Sequence, residues 1–231
     1  MALNQLHEIG HNMDLHHSGD ASASGNAYDY GDTTCIMGYG DGEDDTNKCF
    51  NGAKMAEIGW YDNVVSFNPV LDGDFDGKLI GVADYANVAD EHALVLEVIN
   101  PISSNENIFI AYNRKKGINS GTGEMPDMVT IVRASFTLES RLFGALDEND
   151  GTNSLTIEDF FNGRDLYIFV DNKGTDAGDV DYVSVRVELQ VEDCTSISDC
   201  SVGTNNCVTA TCNSNNKCEY STVAGCCGNG E

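Results

Sequence analysis

The sequence predicts an α+β chain in three parts: a short helical segment rich in histidine, an antiparallel β-sandwich, and a small disulfide-rich tail. Three observations predict this. Of the five histidines, His7, His11, His16 and His17 all fall near the start, the first two one helical turn apart. From residue 63 to 192, short apolar runs alternate with Gly, Asn and Asp clusters, the texture of short strands joined by turns. Beyond residue 193 large apolar side chains thin out and cysteines crowd together, so disulfides must do what a core cannot. The expected division is 1–62, 63–192 and 193–231.

Composition bounds the function. The chain has 231 residues, enough for two modest domains or one large one. Lys and Arg number 12 against 38 Asp and Glu, a formal net charge of -26. Such a surface repels phosphate backbones and anionic lipid, which excludes nucleic acid as a partner. No apolar run approaches the ~20 residues that cross a bilayer; Ala93 to Val98 is among the longest, and Glu97 interrupts it. Nine cysteines imply an oxidising compartment, hence a secreted, extracellular protein. Their odd number leaves one unpaired or paired outside the chain, so the tail is expected to be incomplete. Met1 leads into a polar, His-rich helix with no basic and apolar leader ahead of it. The natural start is therefore expected upstream.

In order along the chain, Leu3, Leu6, Ile9 or Gly10, and Met13 recur at helical spacing, as do Phe50, Ala53, Ala56 and Trp60. The Gly/Asp/Tyr-rich stretch Ser18 to Asp45 between them reads as ordered loop. The clearest strand is Tyr182 to Val191. There Val183, Val185, Val187, Leu189 and Val191 alternate with Ser184, Arg186, Glu188 and Gln190. Further strands are expected at 63–70, 78–83, 93–99, 108–113, 128–136 and 166–171.

The decisive stretch is His7-Glu8-Ile9-Gly10-His11-Asn12-Met13-Asp14-Leu15-His16-His17. On a helix, positions i and i+4 share a face, so His7 and His11 can offer two imidazoles to one ion. Glu8 can then act on a water beside the metal, the HExxH arrangement of zinc peptidases. A catalytic zinc takes three protein ligands and leaves one position open. His17 supplies the third at the metzincin spacing, with His16 as its rival. That spacing asks for a turn at the eighth motif position, commonly Gly. Here it is Asp14, which tolerates a left-handed backbone at some cost. Cys35-Ile36-Met37-Gly38-Tyr39 follows, and a Met in such a tight turn packs below zinc-binding imidazoles in metzincins. In some metzincins a Tyr two residues after that Met steadies the oxyanion; the alternative for Tyr39 is an ordinary buried ring.

The block His7 to Gly19, the Met37 turn, and Cys49-Phe50-Asn51-Gly52-Ala53-Lys54 with Gly59-Trp60-Tyr61 together resemble the gametolysin (autolysin) family. Similarity continues through Ile110-Ala111-Tyr112-Asn113-Arg114 and Gly117-Ile118-Asn119. The resemblance implies the C-terminal part of a metzincin catalytic domain (zinc helix, Met-turn and a C-terminal helix) ahead of the sandwich and tail. It also implies a Zn2+-dependent endopeptidase that cuts cell-wall or matrix glycoproteins, with His7, His11 and His17 as ligands and Glu8 and Tyr39 as catalytic groups. Metzincins carry a sheet before the zinc helix, and only six residues precede His7 here, so this stretch alone is expected to bind zinc poorly. The alternative is a non-catalytic secreted protein whose sandwich and tail bind matrix.

Weaker signals remain. Asp72-Gly73-Asp74-Phe75-Asp76-Gly77 opens like a Ca2+ loop, but Ala83 stands where an EF-hand needs Glu. Asp147 to Glu158 has the Glu, with its Gly one position early. Calcium is open at both. Cys35 and Cys49 flank the Met37 turn and are placed to staple it. His92, alone beside a strand, reads as structural.

Overall fold

The computed structural model describes residues 2–22, 26–39, 47–87, 91–100, 106–134, 139–149, 151–200, 202 and 208–223. It is a mixed α+β structure, mostly sheet. Helix α1 spans Ala2–Asn12. It ends where Asp14 turns left-handed at φ 68°, as the motif requires. Leu15 N–H then bonds back to Gly10 O at 3.0 Å, and Leu15 is buried. The stretch expected to be loop holds a short strand, β1 (Ser18–Asp20), and a five-residue helix, α2 (Asn26–Tyr30). Residues 23–25 and 40–46 lie outside the described set. Helix α3 (Gly52–Ile58) starts at Asn51, whose side chain accepts from Lys54 N–H, and stops at left-handed Gly59, φ 64°. Trp60 was expected on the helix's packed face; it lies past the stop and is 60% exposed.

The strands that follow are β2 (Val64–Phe67), β3 (Phe75–Ile80), β4 (His92–Ala93), β5 (Val95–Val98), β6 (Asn107–Tyr112), β7 (Val129–Ala134), β8 (Ser140–Leu146), β9 (Ser154–Phe161), β10 (Arg164–Asp176) and β11 (Val180–Leu189). They form a six-stranded sheet, β1-β8-β7-β6-β5-β2, and a five-stranded sheet, β4-β3-β11-β10-β9. The expectation of a purely antiparallel sandwich is corrected at three edges: β1 with β8, β2 with β5, and β3 with β4 run parallel. Parallel partners cannot be joined by a tight hairpin, so no turn in the sequence marks these pairs.

The larger core lies between the sheets. Ile108, Ile110, Val129 and Ile131 of one sheet pack with Leu166, Ile168, Val183, Val185 and Val187 of the other. The opposite face of the six-stranded sheet is also covered. Phe109, Ala111, Val95 and Val132 meet Ala53 and Met55 of α3. Burial on both faces explains why β6 reads Ile-Phe-Ile-Ala-Tyr without polar alternation. The approach is close: a Cβ on Gly52 would lie 3.1 Å from the Ala111 Cβ.

In the tail, β12 (Val208–Cys212) and β13 (Cys218–Thr222) form a hairpin. Two disulfides, Cys194–Cys212 and Cys200–Cys218, tie it down. Tyr220 meets Phe161 edge-on at 6.3 Å, with the Arg164 guanidinium 5.1 Å from its ring. Cys207, Cys226 and Cys227 lie outside the described residues. The staple expected between Cys35 and Cys49 is not formed; both are free thiols. Cys35 Sγ instead accepts from the N–H groups of Met37 and Asn51. Its burial pushes its pKa up to about 12, so it stays a thiol. The Lys48 ammonium does the stapling, donating to Thr33 O at 2.8 Å and Tyr39 O at 3.0 Å across the two ends of the turn.

Candidate metal centre

Helix α1 and its sharp exit bring three imidazoles together. The rings of His7 and His11 lie 4.9 Å apart, His11 and His17 4.7 Å, and His7 and His17 5.3 Å. One ring nitrogen from each falls within a 4.8 Å set. His7 and His11 share a face because they are one turn apart. His17 reaches them because left-handed Asp14 reverses the chain just after the helix. His16 stands outside the set, and so does Glu8, exposed on α1 next to His7.

Each helical ring is oriented from behind. His7 Nδ1 pairs with Ile36 O at 2.9 Å and His11 Nδ1 with Leu15 O at 2.9 Å. A backbone carbonyl is an acceptor, so Nδ1 carries the proton, and in the neutral ring that a metal requires Nε2 is the nitrogen left for an ion. Burial, then repulsion from His11 and His7, holds the His17 imidazole below its ordinary pKa. The neutral form a metal requires is thereby favoured. Three imidazoles with converging nitrogens fit a tetrahedral site with one open position.

Met37 lies against Gly10 of α1. It is fully buried with Leu15 and Cys35, and Met13, Phe50 and Ile58 pack around them. Gly10 fits directly over it: a Cβ there would lie 2.4 Å from the Met37 sulfur. Gly38 is just as constrained, since its Cβ would lie 1.8 Å from Asp32 O.

Asp32, also fully buried, joins these parts. Its carboxylate accepts from Ser18 Oγ at 2.7 Å, Asn51 Nδ2 at 2.8 Å, Thr34 N–H at 3.0 Å and Thr34 Oγ1 at 2.5 Å. Ser18 follows His17 and donates its N–H to Met37 O at 2.9 Å. The same carboxylate therefore links the His17 arm, the Met37 turn and the start of α3. Sequence reasoning missed it, because an Asp in a Gly/Asp-rich stretch carries no spacing signal.

Tyr30 was also missed. Its ring lies 4.0 Å from that of His17. Tyr39 is 47% exposed and one ring further out, 5.3 Å from Tyr30. Its placement on the rim differs from the buried packing role considered for it.

The other metal-capable groups are already engaged. Asp176 Oδ2 is shared by His92 Nε2 at 2.7 Å and Lys78 Nζ at 2.8 Å, so an ammonium already occupies the carboxylate that the Glu91, His92 and Asp176 cluster would offer an ion. His92 is thus structural, as expected. Of the two calcium candidates, Asp72 accepts from Asn68 N–H at 2.8 Å and Asp147 pairs with Lys173 at 2.9 Å. Neither stretch gathers three ligating groups among the described residues.

The family model described as Gametolysin peptidase M11 matches residues 3–124, a span holding the three histidines, the Met37 turn and α3. No curated protein and no solved structure matches the chain.

Proposed function

The chain belongs to the gametolysin peptidase family M11, and from that premise we propose that it is a zinc metalloendopeptidase acting on extracellular matrix or cell-wall glycoproteins. The convergence of His7, His11 and His17, with two Nδ1 atoms engaged by carbonyls, is the observation that carries the reading. These three residues would hold the metal through neutral imidazoles, above the Met37 turn of a metzincin. When bound, zinc supplies Lewis acidity, lowering the pKa of a water to about 7 and polarising the scissile carbonyl. Glu8 takes the proton of the attacking water and returns it to the leaving amine. Being outside the ligand set suits it to that role. Tyr39 is the sequence's choice to steady the oxyanion, and Tyr30 packs nearer the ligands. The protein is secreted, in keeping with the two tail disulfides. Residues 1–62 act as the catalytic part, 63–192 as a sandwich and 193–231 as a Cys-rich module. The first boundary is one of function, since β1 extends the sandwich's own sheet.

Zinc titration and casein cleavage test this together. The chain should bind one zinc. Glu8→Ala should keep the zinc and lose cleavage by about 10²–10⁴-fold. His17→Ala should abolish whatever zinc binding the chain shows, and His16→Ala should leave it in place. Cleavage surviving unchanged in Glu8→Ala would refute the mechanism.

A further inference from the structure

His7 and His11 are each held by a carbonyl behind the ring, but the third histidine is held differently. Among the described residues, none makes a hydrogen bond to the His17 ring. Its neighbours are other rings: His7 at 5.3 Å, His11 at 4.7 Å and, closest, Tyr30 at 4.0 Å with a tilt of 39°. The outer torsion of a histidine is soft. A ligand ring with nothing behind it can swing, and its nitrogen then leaves the point that the other two share.

Backbone anchors fix where Tyr30 stands. Gly19, two residues past His17, lets α2 lie directly on β1, since a Cβ there would sit 1.6 Å from Tyr28 O. Tyr30 O accepts the Tyr39 N–H at 2.7 Å, which ties the end of α2 to the end of the Met37 turn. Asp32 N–H donates to Ser18 O at 3.2 Å, closing the same segment onto the arm that carries His17. The phenol ring and the imidazole are therefore held in one frame.

We propose that Tyr30 is the positioning residue for His17, its ring taking the place of the carbonyl that orients each of the other two histidines. The proposal rests on the metallopeptidase reading. An imidazole that has given its lone pair to a dication is electron-poor, and the electron-rich face of an aromatic ring attracts it. Tyr30 thus favours the metal-loaded chain over the metal-free one. The role belongs to the ring, and the hydroxyl is not required for it.

The test measures zinc affinity of the full chain by competition with a chelating dye. Tyr30→Phe keeps the ring and should bind zinc as the unsubstituted chain does. Tyr30→Leu keeps apolar bulk without the ring and should bind about tenfold more weakly. Tyr28→Leu, on the same helix but beneath the Arg141 guanidinium, should leave the affinity in place. The visible absorption of the Co2+-loaded forms reads ligand geometry directly: Tyr30→Leu should alter it and Tyr30→Phe should preserve it. A weakened or altered site in Tyr30→Phe overturns the proposal, because the hydroxyl would then be needed, and this holds even if Tyr30→Leu fails to fold. Zinc bound equally by Tyr30→Leu and the unsubstituted chain overturns the positioning role alone, as does equal weakening in Tyr28→Leu. An unsubstituted chain that binds no zinc overturns the metallopeptidase reading and this role with it.

Discussion

At the scale of single residues, a few side chains decide whether the histidines converge, and Asp32 is foremost. A buried carboxylate survives only if its oxygens are fully engaged, and four donors engage this one. Asp32→Ala would leave Ser18 Oγ, Asn51 Nδ2 and the two Thr34 donors without their acceptor, at a cost of about 3–5 kcal/mol. Asp32→Asn is not a remedy, because it turns one acceptor into a donor facing donors. Either variant should melt roughly 10 °C lower in a zinc-free thermal scan. Substituting Co2+ as a spectroscopic reporter should also show altered ligand geometry, since Ser18 sits next to His17. An unchanged melting temperature would mean that the network contributes little.

At the scale of elements, the turn from Asp32 to Tyr39 matters more than either helix. Ile36 O orients His7, Met37 lies under Gly10, and Lys48 ties the turn's ends. Gly38→Ala forces a Cβ to within 1.8 Å of a backbone oxygen, so the turn must open. Zinc affinity measured by competition with a chelating dye should fall by tenfold or more. Gly123→Ala, with nothing within 4 Å of its added Cβ, is the control and should bind normally. What could be read from sequence divides along the same line. The convergence of the His7, His11 and His17 rings and the left-handed backbone at Asp14 follow from short spacings that a sequence displays. The strand expected at Tyr182 to Val191 is found at Val180–Leu189, with Val191 past its end and exposed; it was legible because buried side chains alternate with half-buried ones. Strand β8 was not, since Phe143, Gly144 and Ala145 break its alternation, nor was β1, three residues long and defined only by its distant partner. Tyr30 and Asp32 act through contacts that no local pattern encodes. The disulfide expected at Cys35 and Cys49 failed for a related reason: the turn is closed by a lysine whose two carbonyl acceptors cannot be seen in a sequence.

At the scale of the whole molecule, charge sets the response to acid. With 38 carboxylates against 12 cationic side chains, most acids repel one another, yet several sit in ion pairs. The Lys173 ammonium holds Asp147 below the usual carboxylate range. Burial pushes Asp181 upward, but the Thr175 hydroxyl, Lys116 and Arg114 together bring it below its ordinary value. Lys78, followed by His92, does the same for Asp176. A carboxylate whose pKa is depressed by folding stabilises the native state fully above its unfolded pKa of about 3.9. That contribution disappears as the pH falls through the lower folded value. Protonating the unpaired acids works in the opposite sense, because it relieves repulsion. About 0.5 M KCl screens the repulsion and leaves close, partly buried pairs largely intact. In that salt, with chelator present to keep metal loading out of the measurement, the urea midpoint should decline gently below about pH 6.5, as His17 resists protonation in the folded chain, and drop more steeply below about 4. Lys173→Met should make the drop shallower, because Asp147 then titrates near its unfolded value. A midpoint that stayed level or rose down to pH 3 would show that these pairs, which tie β10 to the end of β8 and the β11 strand to the Arg114 loop, add nothing to the stability of the sandwich on which the metal centre rests.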